Sequence, residues 1–274
     1  MIQYFLKRLL QAIPVLLGVI IITFVLMYII PGDPVVSMVG ERYSEETVQR
    51  LRQELHLDDP LPLQFLRYVG NVLQGNFGNS FITGEPVAAL IIEKFPNTMM
   101  LAITAMFFAI LIGLTAGIMS SVHPGSFMDR GIMVLALAGI SAPVFWVGLI
   151  LVLVVGVMLQ WLPPTGFGGI EYLILPALTL GLRSAAYLAR LTRATMLDVL
   201  SYDYIRTARS KGLPEWKVFI KHAFPNTLIP VITVIGTDFG SYLSGAVLTE
   251  SIFGWPGIGR LALEAIMKRD FPVI

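Results

Sequence analysis

An all-α, polytopic membrane fold is predicted by three features of this sequence. Apolar residues make up 55% of its 274 residues and charged ones only 14%, where soluble domains carry roughly 25% charge. Mean hydropathy is +0.76. The apolar residues gather into five runs long enough to span a bilayer, which takes ~20 residues, with polar excursions between them. The surrounding partner is therefore membrane lipid. A net charge of +1 argues against a nucleic-acid partner, and the lack of cysteine excludes disulfide, thiolate and iron–sulfur chemistry.

The first span is predicted from Leu9 to Ile30, ahead of Pro31-Gly32-Asp33-Pro34. A basic start followed by an apolar run also describes a signal peptide, but this run exceeds the ~7–15 residues of a signal core and no small-residue cleavage site follows. Lys7 and Arg8 keep its start in the cytoplasm. The stretch from Val35 to Asn97 then lies outside. Ser44 caps a predicted amphipathic helix, SEETVQRLRQELHL, with Val48, Leu51 and Leu55 on one face. Two more helices are expected, Leu63 to Leu73 and Val87 to Phe95, the latter ending at Pro96. This region reads either as a small cap or as a lip that contacts a delivery protein or gates a pore.

The second span is predicted from Thr98 to Met119, and the third from Ile132 to Leu159. The third is interrupted near Gly139-Ile140-Ser141-Ala142-Pro143. Proline removes a backbone donor, and within a membrane such a break must be buried or line a cavity. It is either a structural kink or a pore-lining break. Trp161 to Pro164 marks the outer interface, where an indole is favoured. The fourth span covers Tyr172 to Leu191 and the fifth Thr227 to Leu248. The tail, IFGWPGIG, reads as a re-entrant turn followed by an amphipathic helix, Arg260 to Lys268. The final Phe271-Pro272-Val273-Ile274 reads as the first residues of a sixth span.

Between spans four and five lies the segment Asp203 to Pro230. From Arg190 to Lys221 it holds seven Lys or Arg against three acids, which places it in the cytoplasm. It reads as helix, turn, helix. Gly212 suits the left-handed position that ends a helix. Pro214 suits the first turn of the next, with Glu215 at its positive end and Lys221 and His222 at the other. Pro225 and Asn226 then open the fifth span. A loop this long and this structured is more than a connection between spans, and it suggests a docking site.

No catalytic set accompanies it. There is no Gly-Lys dipeptide and hence no P-loop, no H-E-x-x-H and no G-x-S-x-G. His56, His123 and His222 lie in separate segments, and His123 reads as solvated. The chain is not expected to be an enzyme, to hold a metal or to bind a cofactor. ATP-driven work would need another chain to bind the nucleotide.

The basic segment resembles the EAA loop of the membrane subunits of bacterial ABC importers. That pattern runs Glu-Ala-Ala, three residues, Gly, nine residues, Ile, one residue, Leu-Pro. Arg206-Thr207-Ala208 stands at its first three positions, Gly212 at its glycine and Pro225 at its proline. Arg206, Thr207, His222 and Phe224 depart from it. These departures are similar to the variant of the peptide and nickel permease branch, as are the early PGDP, LTESIFGWPGIGR and RDFPVI. The resemblance covers nearly the whole chain.

The resemblance implies a type I ABC importer membrane fold in the bacterial inner membrane. Its divisions would be an N-terminal transmembrane helix over 1–31, an extracytoplasmic cap segment over 32–97, and a permease core over 98–274 with a coupling loop at 203–225. It implies a second homologous permease chain, two ATPase subunits that bind ATP and Mg, and an extracytoplasmic solute-binding protein. The cargo implied is a di- or oligopeptide. Nickel chelates, glutathione or another small solute are the alternatives within the branch. A secondary transporter is the alternative outside it, and would need internal repeats and midplane ion-coupling carboxylates.

Coupling residues follow from the loop. Gly212 makes the turn. Arg206, Arg209 and Lys211 offer charge to an acidic cleft, alongside Thr207, Ala208 and Pro225. Leu213, Trp216 and Phe219 supply an apolar surface, with Trp216 the expected anchor. Trp216 and Phe219 could instead lie on the lipid surface. For the translocation path, Arg183 and Asp238 are expected near the middle of spans four and five, where charge must face a partner or water. Either they form an internal pair that fixes helix packing, or they meet the two ends of a peptide zwitterion. Ser241 and Tyr242, with Thr237 and Ser244, add polarity beside Asp238.

Overall fold

A computed structural model describes residues 2–29, 49, 52 and 58–274. The expected amphipathic helix at 44–57 falls outside the described residues apart from Gln49 and Arg52. Every regular element among the described residues is helical, beside one isolated bridge between Asn79 and Pro86. The chain forms two compact units, Met1–Glu93 with Leu261–Ile274, and Lys94–Arg260.

In the first unit, α1 (Ile2–Ile29) is apolar on all sides and almost wholly exposed. A helix of that kind is stable only with lipid around it. It starts before the expected Leu9 and takes Lys7 and Arg8 into its first turns, where long basic side chains reach the interface. Phe24 packs edge-on to Phe65 of α2 (Leu61–Leu73) at 5.2 Å between ring centres. The turn at 76–86 is closed by buried Asp270, which accepts from the Ser80 hydroxyl at 2.5 Å and the Phe81 amide at 2.9 Å.

Helix α3 (Val87–Val122) runs 36 residues. The expected separate helix ending at Pro96 does not exist, because Pro96 lies inside this helix. One proline removes one hydrogen bond and bends a helix whose flanks are strongly helical. The third span is more than kinked. Helix α4 (Phe127–Ser141) and α5 (Val144–Leu151) meet at 107° across Ala142-Pro143. Ala142 is extended (ψ 132°) because the proline ring disfavours helix in the residue before it. A π-helical stretch, Val152–Met158, completes the second arm.

The second unit is built around α6 (Ile170–Leu200), against which pack α4, α5, α9 (Phe224–Leu243) and α10 (Val247–Phe253). Its contact with α3 is the closest. A methyl on Gly113 would stand 2.7 Å from Leu188 Cβ, one on Gly117 2.6 Å from Thr192 Cβ, and one on Gly181 2.5 Å from the Ala105 carbonyl oxygen. Gly113 and Gly117 are a small-xxx-small pair, the spacing that lets membrane helices approach backbone to backbone. One buried cluster, including Leu101, Ala105, Leu188 and Trp255, fills this crossing. A second cluster lies at the far end of α6, around Met196, Ile205 and Val218.

The fifth span differs from expectation at both ends. Its helix is continuous from Glu215–Lys217 (α8) through a π-helical turn, Val218–Ala223, into α9, so Pro225 begins no new helix. Pro225 occupies the first turn of α9 just after the π turn, where its missing N–H is tolerated. The helix ends at Leu243, short of Leu248, because Gly245 turns the chain at φ 100°. With α1, α3, α6 and α8–α9, and the bent pair α4–α5 as one span, five crossings match the expected number.

Candidate functional site

The basic segment folds as α7 (Asp203–Ser210), a turn at Gly212 (φ 74°), and α8 from Glu215. The turn is clamped across its mouth. Arg209 donates to both oxygens of Glu215, at 2.9 and 3.2 Å. A second link comes from Tyr204, whose hydroxyl donates to the His222 carbonyl at 3.4 Å and accepts from Asn226 at 2.8 Å. Beneath these, Ile205, Ala208, Val218 and Ala223 are buried against Met196 and Val199 of α6, with Leu213 and Phe219 packed alongside. The segment is thus a rigid plate fixed to the end of a spanning helix.

This divides the sequence-predicted coupling residues. Arg206, Thr207, Arg209, Lys211, Gly212, Trp216 and Pro225 are exposed. Ala208 is buried in the second core, and Leu213 and Phe219 are half-buried there, so these three hold the plate in place. Trp216 faces outward at 62% exposure, joined one helical turn later by Ile220 at 63%, which sequence reading passed over. Lys217 lies 5.4 Å from the Trp216 ring centre. Arg209 is engaged by Glu215 and Arg206 by Asp203 at 3.3 Å, leaving Lys211 as the exposed cation at the turn tip without an ion pair among the described residues. Ile205 and Ala208 were legible as an i, i+3 pair on a short polar helix.

The second feature is a cavity of about 360 Å³ lined by Arg183, Ser184 and Tyr187 of α6, Asp238, Ser241 and Tyr242 of α9, and Ile140 and Val144 at the α4–α5 break. All four predicted path residues line it. Asp238 lies five residues before the end of α9 and still stands level with the middle of α6, because Ser184 donates to it at 2.6 Å. The Tyr242 hydroxyl lies 2.5 Å from the Ser184 hydroxyl and 3.2 Å from the Leu180 carbonyl oxygen, the two acceptors open to its one proton. The internal Arg183–Asp238 pair weighed from sequence does not form, since no ion pair within 4.0 Å joins them among the described residues. Ser184 makes the contact instead, and its position beside Arg183 is the sequence signal that was missed. Ile140 and Val144, on either side of the Ala142-Pro143 break, border the cavity.

Two buried carboxylates brace the surrounding helices. Asp129 accepts from Arg193 at 2.6 and 2.7 Å, from the Gly125 amide at 2.7 Å and from Ser120, tying α3, α4 and α6 together. Glu250, fully buried, accepts from Thr98 and from the Arg260 amide, each at 2.8 Å. It anchors the turn after α10, where Trp255 donates to the Asn97 carbonyl at 3.0 Å and Asn97 to the Pro256 carbonyl at 2.9 Å. A turn thus follows α10 at the expected place, and after it α11 (Ile258–Lys268).

Comparison with known proteins bears on this arrangement. The family model described as binding-protein-dependent transport system inner membrane component matches residues 109–274, and the model of its N-terminal region matches residues 1–102. The glutathione transport system permease protein GsiC of Escherichia coli K12 is 43% identical over 274 residues, which is 100% of this chain and 90% of that one. The protein of the same name from Salmonella paratyphi A is 44% identical over the same shares. Among solved structures, an inward-facing MetNI methionine ABC transporter aligns with TM-score 0.55 over 65% of this chain and 81% of that one, at 16% identity, a likeness of fold. Several helices packed on one spanning helix, a plate clamped at one end of it and full-length matches lead to one conclusion: the chain belongs to the binding-protein-dependent transport system inner membrane component family, as a multi-pass permease subunit of an ABC importer.

Proposed function

We propose that this permease carries glutathione or a closely similar short peptide into the cell. The observation that carries this reading is the full-length similarity, at 43–44% identity, to proteins named as glutathione permeases. Glutathione is among the alternatives to general di- or oligopeptide transport that the sequence leaves open, and the names of these relatives support it over that reading. A second homologous permease completes the path. Two ATPase subunits bind ATP and Mg and dock on the plate formed by α7 and α8, and an extracytoplasmic solute-binding protein delivers the cargo.

The plate suits this role physically. Trp216 and Ile220 offer an apolar anchor, with Lys211 and Arg206 as the charges beside it. Few residues carry most of an interface's energy, and a central aromatic is the usual one. Leu213, Phe219 and Ala208 bind the plate to α6, so a push on Trp216 moves a spanning helix as a rigid body. Thr207 and Pro225 flank this surface, and Gly212 sets its angle.

The test is to purify the chain with its partner subunits in lipid nanodiscs and add the solute-binding protein loaded with glutathione, with an unrelated dipeptide, or with a nickel chelate. ATPase stimulation with glutathione exceeding the others supports the proposal. Stimulation by the dipeptide or the chelate alone moves the cargo to that class, and no stimulation by any loaded binding protein overturns the coupling role.

A further inference from the structure

The cavity between α6 and α9 holds two opposite charges that do not neutralise each other. Arg183 is exposed, lines the cavity, and has no ion-pair partner within 4.0 Å among the described residues. Asp238 is half-buried and accepts one hydrogen bond, from Ser184 to its Oδ2, which leaves Oδ1 without a bonded partner among the described residues. With the Ser184 proton given to Asp238, the Tyr242 hydroxyl 2.5 Å behind it is the donor to the serine oxygen and holds the serine in place. A charge inside a spanning helix is costly and faces a partner, water or a ligand. Two such charges of opposite sign, held on different helices around one space, normally pair. Here Ser184 takes the carboxylate, and Arg183 is left lining the cavity without an ion-pair partner among the described residues.

We propose, resting on the permease reading above, that this cavity is a transient cargo subsite for a zwitterion, in which Arg183 receives a carboxylate of the peptide and Asp238 its free ammonium. An arginine fork matches a carboxylate by two parallel hydrogen bonds. A carboxylate with one oxygen committed to a serine has the other free to accept from an ammonium. The volume of about 360 Å³ lies at the small end of the range for small-molecule sites, a size that suits an amino-acid head or a short peptide. Its walls mix Ile140, Leu180 and Val144 with the polar set, so binding is weak enough for the cargo to leave again.

The chain has no cysteine, which makes occupancy directly readable. Ser241 is exposed on the cavity wall, and alkylation of the Ser241→Cys variant reports access to it. The experiment uses the complete complex in nanodiscs without binding protein, with S-methylglutathione, its N-acetyl form and its diethyl ester as probes, and reads the label on this chain by mass. At about 10 mM probe, a site of about 1 mM affinity slows alkylation about tenfold. S-methylglutathione is expected to protect to that degree, and the two blocked forms to protect less than twofold. Arg183→Gln and Asp238→Asn, each combined with Ser241→Cys, are expected to abolish protection by the parent probe. Equal protection by all three probes, unchanged protection in either charge variant, or no protection by any probe overturns the subsite. ATPase stimulation by loaded binding protein is measured on the same preparations. If it persists while protection is absent, the permease reading stands and the subsite fails. If it is absent in the unmodified complex, the permease reading itself fails.

Discussion

Gly212 shows how a single backbone angle shapes a docking surface. It sits at φ 74°, and a methyl placed on it would meet nothing within 4 Å, so its requirement is conformational and not steric. A β-branched residue in the left-handed region costs about 1–2 kcal/mol, while Asn visits that region readily. Gly212→Val is therefore expected to open the turn between α7 and α8 and to lower transport-coupled ATP hydrolysis, with Gly212→Asn close to the parent. ATPase activity and uptake measured together in proteoliposomes check this. Equal coupling in both variants would show that the angle of the plate does not matter. The same scale explains Asp129, where burial is tolerable because two bonds from Arg193, one from Ser120 and one from a backbone amide surround the carboxylate.

At the scale of elements, the crossing of α3 and α6 is the contact with the least slack. Gly113 and Gly117 let Leu188 and Thr192 approach to distances a side chain would forbid. Overpacking such a contact costs about 1–3 kcal/mol per site. Gly113→Leu and Gly117→Leu are expected to lower the thermal midpoint of the detergent-solubilised chain. Gly131→Leu on α4, where nothing lies within 4 Å, is expected to leave it unchanged. Size-exclusion thermostability of the three variants decides the matter, and a loss at Gly131 equal to that at Gly113 would remove the crossing as the cause. The turn after α10 follows a similar logic. A buried Glu250 and a buried Trp255 hold Gly257 and Gly259 against α10, which is why so many glycines are grouped there.

For the whole molecule, the 107° bend of α4 against α5 makes the crossing number a question of topology, since the pair is either one span or a re-entrant loop. Positive-inside charge, with the bent pair counted as one span, predicts Phe127 and Lys211 in the cytoplasm and Ile170 outside. Single-cysteine variants Phe127→Cys, Lys211→Cys and Ile170→Cys, all at exposed positions, report this directly. An impermeant maleimide on intact cells is expected to label only Ile170→Cys. Labelling of Phe127→Cys together with Ile170→Cys would put both ends of the bent pair on one side and reduce the spans to four.

The spans, the turn at Gly212 and the turn and helix of the tail were legible in the sequence, as was the charge excess behind the expected cytoplasmic side of the basic segment. Each depends on a local property: apolar length, charge sign, or the φ that only one residue type adopts easily. The boundaries at Pro96 and Pro225 were misread for the opposite reason. A proline's local penalty is one lost bond, and the helices on either side, or a π turn before it, absorb that. Only the tertiary structure decided which of the basic segment's apolar residues face out. Phe219 and Trp216 look alike in sequence, but one packs on α6 and the other does not. It also decided that Ser184, and not Arg183, holds Asp238, because that choice depends on the level at which two antiparallel helices align. Ser184 and Asp238 stand 54 residues apart in sequence, and only the packing of α6 against α9 brings them to one level.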